Sequence, residues 1–227
     1  MDHRRFPDVW IRAPPRRKSA LLTGCRKRAA AANLGCLTLR KPPPNSVERH
    51  LAAAYDAAMN ASLTVRPARV EDVAQIARVH VRCWQETYRG LMPDVVLDDP
   101  GFPAARERMW TAVLTDERYR EHRAAVAERD GEVIGIAMSG PPLEAAAAGT
   151  RQLYVLYVHA AGHGTGAGPA LLEAVIDPAH PATLWVADPN PRAQAFYRKH
   201  GFIADGTAQL DDGVREIRMV RDARNRR

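Results

Sequence analysis

The sequence predicts an α/β fold built on one central mixed β-sheet flanked by about four helices, and three observations carry that expectation. Along residues 62–221, short runs rich in β-branched and aromatic residues alternate with stretches of helical period. Two such runs, within AAVAERDGEVIGIAMSG, meet at Asp130-Gly131, a dipeptide suited to a two-residue hairpin, which demands antiparallel pairing. Another run, residues 153–158, is followed by a helical pattern and then a further strand at 183–186, the order of a parallel crossover. A sheet holding both connections is mixed.

The elements follow in order. A strand at 63–66 leads into an amphipathic helix from 70 to about 87, with Val73, Ile76, Ala77, His80 and Trp84 on one face. The segment GLMPD stops it, with Gly90 and Pro93 as breakers. A second helix spans 103–114, the hairpin comes next, and a loop at 141–150 carrying an alanine run leads to the strand at 153–158. Glycines then occupy positions 162, 164, 166 and 168, and a helix is expected to open near Pro169. The strand at 183–186, a helix at 191–200 and closing strands at 202–207 and 214–220 complete the chain, which shows no internal repeat.

Length and charge divide the 227 residues into a domain and appendages. Residues 1–58 hold twelve Lys/Arg against four Asp/Glu, whereas 59–227 hold twenty-one against twenty-two. The overall charge of +7 therefore belongs to the extension, and no basic field exists on the domain to steer nucleic acid. With basic clusters at 16–18 and 26–28, three consecutive prolines at 42–44 and few periodic apolar residues, the extension reads as disordered. An over-long gene start is its expected origin; a targeting segment and a basic arm are the alternatives. Residues 222–227 read as a short basic tail. Cys25 and Cys36 lie in the extension, which leaves Cys83 alone in the domain; it reads as a small buried hydrophobe, and no disulfide framework is expected. No apolar run of 18 residues occurs, so no membrane span is expected and the expected location is cytoplasmic.

The glycine loop is where chemistry is expected. A strand delivers the chain into four alternating glycines that end at a helix start, an arrangement that turns backbone amides and the helix dipole toward a phosphate. The P-loop is excluded, because Pro169 and Ala170 stand where Lys and Ser/Thr are needed. A dinucleotide fingerprint fits better: Gly162-x-Gly164-x-x-Ala167 follows a strand, with Asp188 about 20 residues on. Too little chain remains for a doubly wound sheet, and an NAD(P)-binding enzyme stays as the third reading.

The first reading comes from two motifs together. His163-Gly164-Thr165-Gly166-Ala167-Gly168 resembles the Gln/Arg-Gly-x-Gly-x-Gly/Ala cradle of the GNAT superfamily of acetyl-CoA-dependent N-acetyltransferases. Asn190, Ala193, Phe196, Tyr197, Gly201 and Phe202 match that family's Asn-x-x-Ala-x-x-Phe-Tyr-x-x-x-Gly-Phe, in the same order and spacing. The opening segment at 63–80 is similar to the family's first strand and helix. The resemblance implies a GNAT-like fold over residues 62–221, acetyl-CoA as co-substrate, no metal, and transfer of an acetyl group to a primary amine on a small molecule or protein. A non-catalytic acyl-CoA-binding relative is the second reading.

The resemblance also implies site residues. His163, Gly164, Thr165, Gly166, Ala167 and Gly168 would hold the pyrophosphate, and the backbone of Leu156, Tyr157 and Val158 would pair with the pantetheine arm. Asn190 would cap its helix or touch the pantetheine, Phe196 would line the cofactor site, and Tyr197 would protonate the departing thiolate. His163 stands where Gln or Arg is usual. Some relatives place a catalytic glutamate where Gln152 stands, and glutamine cannot take a proton; Glu86, Asp94, Asp188, His80 and His159 are the other candidates for a base, with His80 read as a core residue. Trp84 and Tyr88 share a helix face and are read as core or as an aromatic wall of the acceptor pocket.

Overall fold

The structure is a computed structural model, and it describes residues 63–90, 93–144, 149–211 and 213–223. The extension, and the question of its origin, lie outside the described residues. Seven strands form one sheet in the order β1-β2-β3-β4-β5-β7-β6. They are β1 (Thr64–Pro67), β2 (Arg123–Arg129), β3 (Glu132–Gly140), β4 (Arg151–Val158), β5 (Ala182–Ala187), β6 (Ile203–Asp211) and β7 (Val214–Arg221). Every neighbouring pair is antiparallel except β4 with β5. One parallel pair in six is incompatible with a doubly wound dinucleotide fold, whose strands run mostly parallel. The third reading is thereby removed, and the mixed sheet is the expected one.

Helices cover both faces. On one lie α1 (Val73–Tyr88), preceded by a 3-10 turn at Val70–Asp72, and α3 (Phe102–Thr115). Their apolar stripe packs Ile76, Trp84, Tyr88 and Trp110 against Val126, Ile136, Val155 and Tyr157 of the sheet. On the other lie α4 (Ala167–Val175) and α5 (Pro191–Lys199), which bring Leu171, Leu172 and Tyr197 against Ala137, Leu153, Leu184 and Met219. β3 is buried along nearly its whole length, as a central strand covered on both faces must be. At Gly135 an added Cβ would meet Leu171 Cδ1 and the Tyr157 carbonyl oxygen at 3.0 Å each, so α4 reaches the sheet only because that position has no side chain. No helix among the described residues is long and apolar enough to cross a membrane.

The chain enters this frame through an ionic anchor. Arg66 of β1 donates to both carboxylate oxygens of Asp72 at 2.7 and 2.9 Å and to Glu128 of β2 at 3.0 Å. Asp72 also accepts the amide of Arg69 at 2.8 Å. These bonds hold the Asp72 carboxyl below the usual carboxylate range, the Arg66 hydrogen bond being the largest cause.

Several boundaries differ from expectation, each for a tertiary reason. The expected first helix starts with a 3-10 turn, and its α-helical part opens at Val73. GLMPD is a break followed by a one-turn helix, α2 (Asp94–Leu97), whose Leu97 is fully buried and whose carbonyl accepts from Gln85. The cradle helix opens at Ala167 with Gly166 as its N-cap, two residues before Pro169; proline fits the first turn, where no intrahelical N–H is missed. β4 begins at Arg151, where Ala182 supplies a pairing partner. β6 continues past residue 207 to Asp211, because a register shift between Ala204 and Ala208 absorbs Gly206, at φ +89°. The hairpin at Asp130-Gly131 forms as expected, with both residues at positive φ, 55° and 80°.

Candidate active site

The site is produced by a split in the sheet. β4 and β5 pair only at Arg151↔Ala182, Gln152↔Thr183 and Leu153↔Leu184, after which they part. Each keeps its outer partner: β4 stays paired to β3 as far as Val158, and β5 to β7 as far as Ala187. The inner edge of β4 from residue 154 onward thus has no ladder partner from β5. That leaves backbone N–H and C=O groups open to an added strand. Leu156, Tyr157 and Val158 occupy the end of this edge. Leu156 and Val158 pack toward α4 and α5, and Tyr157 packs toward α1 and α3, following the strand's alternation.

The glycine loop closes the split at the carboxyl end of β4. After a 3-10 turn at Ala160–Gly162, His163 leads into Gly164 at φ +84°, Thr165, and Gly166 at φ +89°, and α4 begins at Ala167. The Thr165 hydroxyl donates to the Gly162 carbonyl at 2.7 Å and fixes the loop's curl. The four glycines divide into two kinds. Gly164 and Gly166 have open space or a single neighbour at 4.0 Å but need left-handed backbone. Gly162 and Gly168 have ordinary φ but no room: a Cβ would meet Val158 Cγ1 at 2.9 Å and Phe196 Cε2 at 3.3 Å respectively. The first pair aims the backbone, and the second lets the cradle dock on β4 and α5. Ala167 and Gly168 are the first residues of α4, so the positive end of its dipole faces the loop.

α5 supplies the other wall. Asn190 caps it, its Oδ1 accepting from Ala193 N at 3.1 Å, and its Nδ2 is buried with no hydrogen-bond partner among the described residues. A buried amide donor without a partner is costly and points to a missing acceptor. Phe196 packs on Gly168, and Tyr197 is 2% exposed between Phe196 and Phe202. Burial pushes the Tyr197 phenol well above its ordinary range, and Tyr157, near enough to interact electrostatically, raises it further. Tyr197 therefore stays protonated at neutral pH, the form a proton donor needs. Tyr157 in turn accepts from Trp84 Nε1 at 3.1 Å. Tyr157 thus links Tyr197, on the cradle side of the sheet, to the aromatic cluster of α1.

That cluster is core. Trp84 and Tyr88 are 1% and 0% exposed, pack against each other with tilted rings at 5.3 Å, and are joined by Phe102 and the Arg106 guanidinium, 4.6 Å above the Trp84 ring. The structure therefore places both rings inside the α1–α3 layer, not on an open wall. His80 is likewise fully buried. Its Nδ1 accepts from Trp110 Nε1 at 3.1 Å, and desolvation holds its pKa well below the usual value, so the ring is neutral.

Of the remaining base candidates, the fold brings Glu86 to the cradle. Its Oε2 accepts the amide of Ala160, in the turn between β4 and the loop, at 3.0 Å, while Oε1 pairs with Arg82 at 2.9 Å. His159 adjoins the same turn, with Nδ1 buried and without a hydrogen-bond partner among the described residues. Gln152 lies where β4 and β5 are still paired and accepts from Leu143 N. Asp94 pairs with Arg89, and Asp188 with Arg215 and Gln194. Arg192, in the first turn of α5, was not singled out from the sequence. Its charge acts on His163, so it is a cation beside the cradle, and only the folded chain reveals this. Two open concavities of about 550 and 520 Å³ lie away from the site, toward the far ends of β4 and α4, lined by Val113 and Ala174 in one and Arg151 and Asp177 in the other. Neither contains a cradle residue.

A split parallel pair, a left-handed glycine loop at a helix N-terminus, an asparagine amide without a partner among the described residues and a buried neutral tyrosine thus meet at one end of the sheet. Known proteins share this sequence pattern and this fold. A sequence model described as the Acetyltransferase (GNAT) family matches residues 70–202. A Mycobacterium tuberculosis protein named "Probable N-acetyltransferase Rv2775" is 28% identical over 150 residues, covering 64% of this chain and 82% of its own. The fold matches PaiA N-acetyltransferase from Thermoplasma acidophilum, solved in complex with coenzyme A, with a TM-score of 0.57 at 18% identity over 71% of this chain and 99% of that one. It also matches yncA of Salmonella typhimurium, solved with acetyl-CoA, with a TM-score of 0.55 at 21% identity over 73% of this chain and 96% of that one. With more than half of its length matched to the family and the family's fold around both motifs, the chain belongs to the GNAT acetyltransferase family.

Proposed function

We propose that the protein transfers an acetyl group from acetyl-CoA to a primary amine of a small molecule or protein, with the coenzyme lying in the opening between β4 and β5. One observation carries this reading: the two strands part after Leu153 and Leu184, at the end of the sheet where the glycine loop and the caps of α4 and α5 converge. Acetyl-CoA supplies a thioester carbonyl open to attack. The backbone of Leu156, Tyr157 and Val158 pairs with the extended pantetheine arm as an added strand, and Asn190 Nδ2 finds its acceptor there. Amides of the 163–168 loop and the α4 dipole hold the pyrophosphate. The neutral amine attacks, forming the N–C bond as the C–S bond breaks. Tyr197 gives its phenolic proton to the departing sulfur and recovers one from solvent. Glu86, the carboxylate at the rim, receives the surplus amine proton by way of water.

The reading is supported by two relatives of the same fold solved with coenzyme A and acetyl-CoA. The test is release of coenzyme A thiol from acetyl-CoA across a broad panel of amines. Turnover with at least one amine is expected. Binding of acetyl-CoA with no release across the panel would instead make this a non-catalytic acyl-CoA-binding member.

A further inference from the structure

His163 leads the glycine loop, and one side of its ring is already committed. Nε2 lies 2.8 Å from the carbonyl oxygen of Val158, the last residue of β4. A carbonyl only accepts, so Nε2 carries the proton, and in the neutral ring Nδ1 is then a bare lone pair. A bare lone pair repels a phosphate oxygen. Only the imidazolium, with a proton on each nitrogen, keeps the Val158 bond and also donates to an anion.

The surroundings oppose that charge in the free protein. Partial desolvation by the neighbouring loop lowers the His163 pKa most, and Arg192 of α5 and His159 of the preceding turn lower it further. The Val158 carbonyl and Glu86 of α1 act in the opposite direction, and the net shift is downward from 6.5. A pyrophosphate on the loop reverses the balance, because its negative charge favours the imidazolium and screens it from Arg192. We propose that His163 contacts the coenzyme pyrophosphate as an imidazolium anchored on the Val158 carbonyl, so that coenzyme binding takes up a proton. This rests on the coenzyme-binding reading above. The bound ring has the higher pKa. Affinity therefore rises as pH falls through the bound pKa and levels off below the free one.

The experiment is calorimetric titration of the full chain with coenzyme A between pH 8 and pH 5, in buffers of different ionisation enthalpy, for wild type, His163→Gln and His163→Arg. Glutamine donates without titrating, and arginine is charged throughout. The coenzyme's own phosphate ionisations are common to all three proteins and cancel in ratios of Kd. The side chain is exposed, so both variants should keep the wild-type melting temperature. Wild type should take up more protons than either variant near neutral pH. The ratio of the His163→Gln Kd to the wild-type Kd should grow on acidification, by about tenfold for each unit that binding raises the pKa. Equal proton uptake, or a ratio independent of pH while coenzyme A binds, overturns the proposal. No binding of coenzyme A by wild type at any pH would sink the coenzyme reading itself, and this inference with it.

Discussion

At the residue scale, the site depends on single groups whose surroundings set their chemistry. Tyr197 is buried and neutral, so removing its hydroxyl while keeping its ring separates acid from packing. Tyr197→Phe should lower kcat by about 10²–10⁴, the usual worth of general acid help, with acetyl-CoA affinity unchanged. A kcat within about twofold of wild type, measured with chemistry limiting, would remove Tyr197 from the mechanism. Gly166, at φ +89°, tests the cradle. Gly166→Val forces a β-branched residue into left-handed backbone, at a cost of about 1–3 kcal/mol, and should abolish stabilisation by acetyl-CoA in a thermal melt. A variant that folds and is still stabilised would show that the loop does not hold the ligand.

At the element scale, α5 begins on a residue with two separable functions. Asn190 Oδ1 caps the helix, while Nδ2 is buried without an acceptor among the described residues. Asn190→Ala should cost about 1 kcal/mol of stability, as cap removal usually does, and also weaken coenzyme binding. Asn190→Asp keeps the cap and replaces only the donor, so its melting temperature should stay near wild type while binding weakens as much as in the alanine variant. Equal binding by wild type and Asn190→Asp would make the residue a cap alone. The β1–α1 junction has a pH signature of its own. Because Asp72 is held below its usual pKa by Arg66, its contribution is present above about pH 4 and is lost as pH falls through the folded-state value. Arg66→Met should therefore destabilise by about 1.5–3 kcal/mol at pH 7, typical of hydrogen bonds to charged groups, with the gap to wild type closing in acid. A gap constant from pH 7 to pH 3 would contradict the assignment.

At the scale of the whole molecule, the domain's near-neutral charge contrasts with its basic extension. A chain beginning at Met59 should match the full chain in melting temperature and turnover. Aggregation or loss of activity of the shorter chain would assign the extension a structural or functional role. Acetyl-CoA at about 100 times its Kd should stabilise either chain by about 2.7 kcal/mol, whereas NADH should not.

The chain's local chemistry made much of this legible. Asp130-Gly131 dictated a hairpin, the period of Val73, Ile76, His80 and Trp84 dictated a helix with one buried face, and the glycine spacing pointed to a phosphate, while the coenzyme was implied by the resemblance of the two motifs to the family. These are local properties: turn residues and side-chain periodicity act over a few residues and can be read from them. Strand ends were less legible, because β4 starts early, at Arg151, where β5 offers Ala182 as a partner, and β6 runs on to Asp211 beside β7. Tertiary structure alone decided three further things. The parting of β4 and β5 depends on which strands pair, a relation between residues about thirty apart. The assignment of Trp84 and Tyr88 to core rather than acceptor wall depends on what covers them, since an aromatic helix stripe suits both. The gathering of Glu86, His163 and Arg192 around one loop joins three helix and loop segments whose sequence neighbours give no sign of it. Periodicity fixes which side of an element turns inward, but what meets it there is set by packing across the sheet.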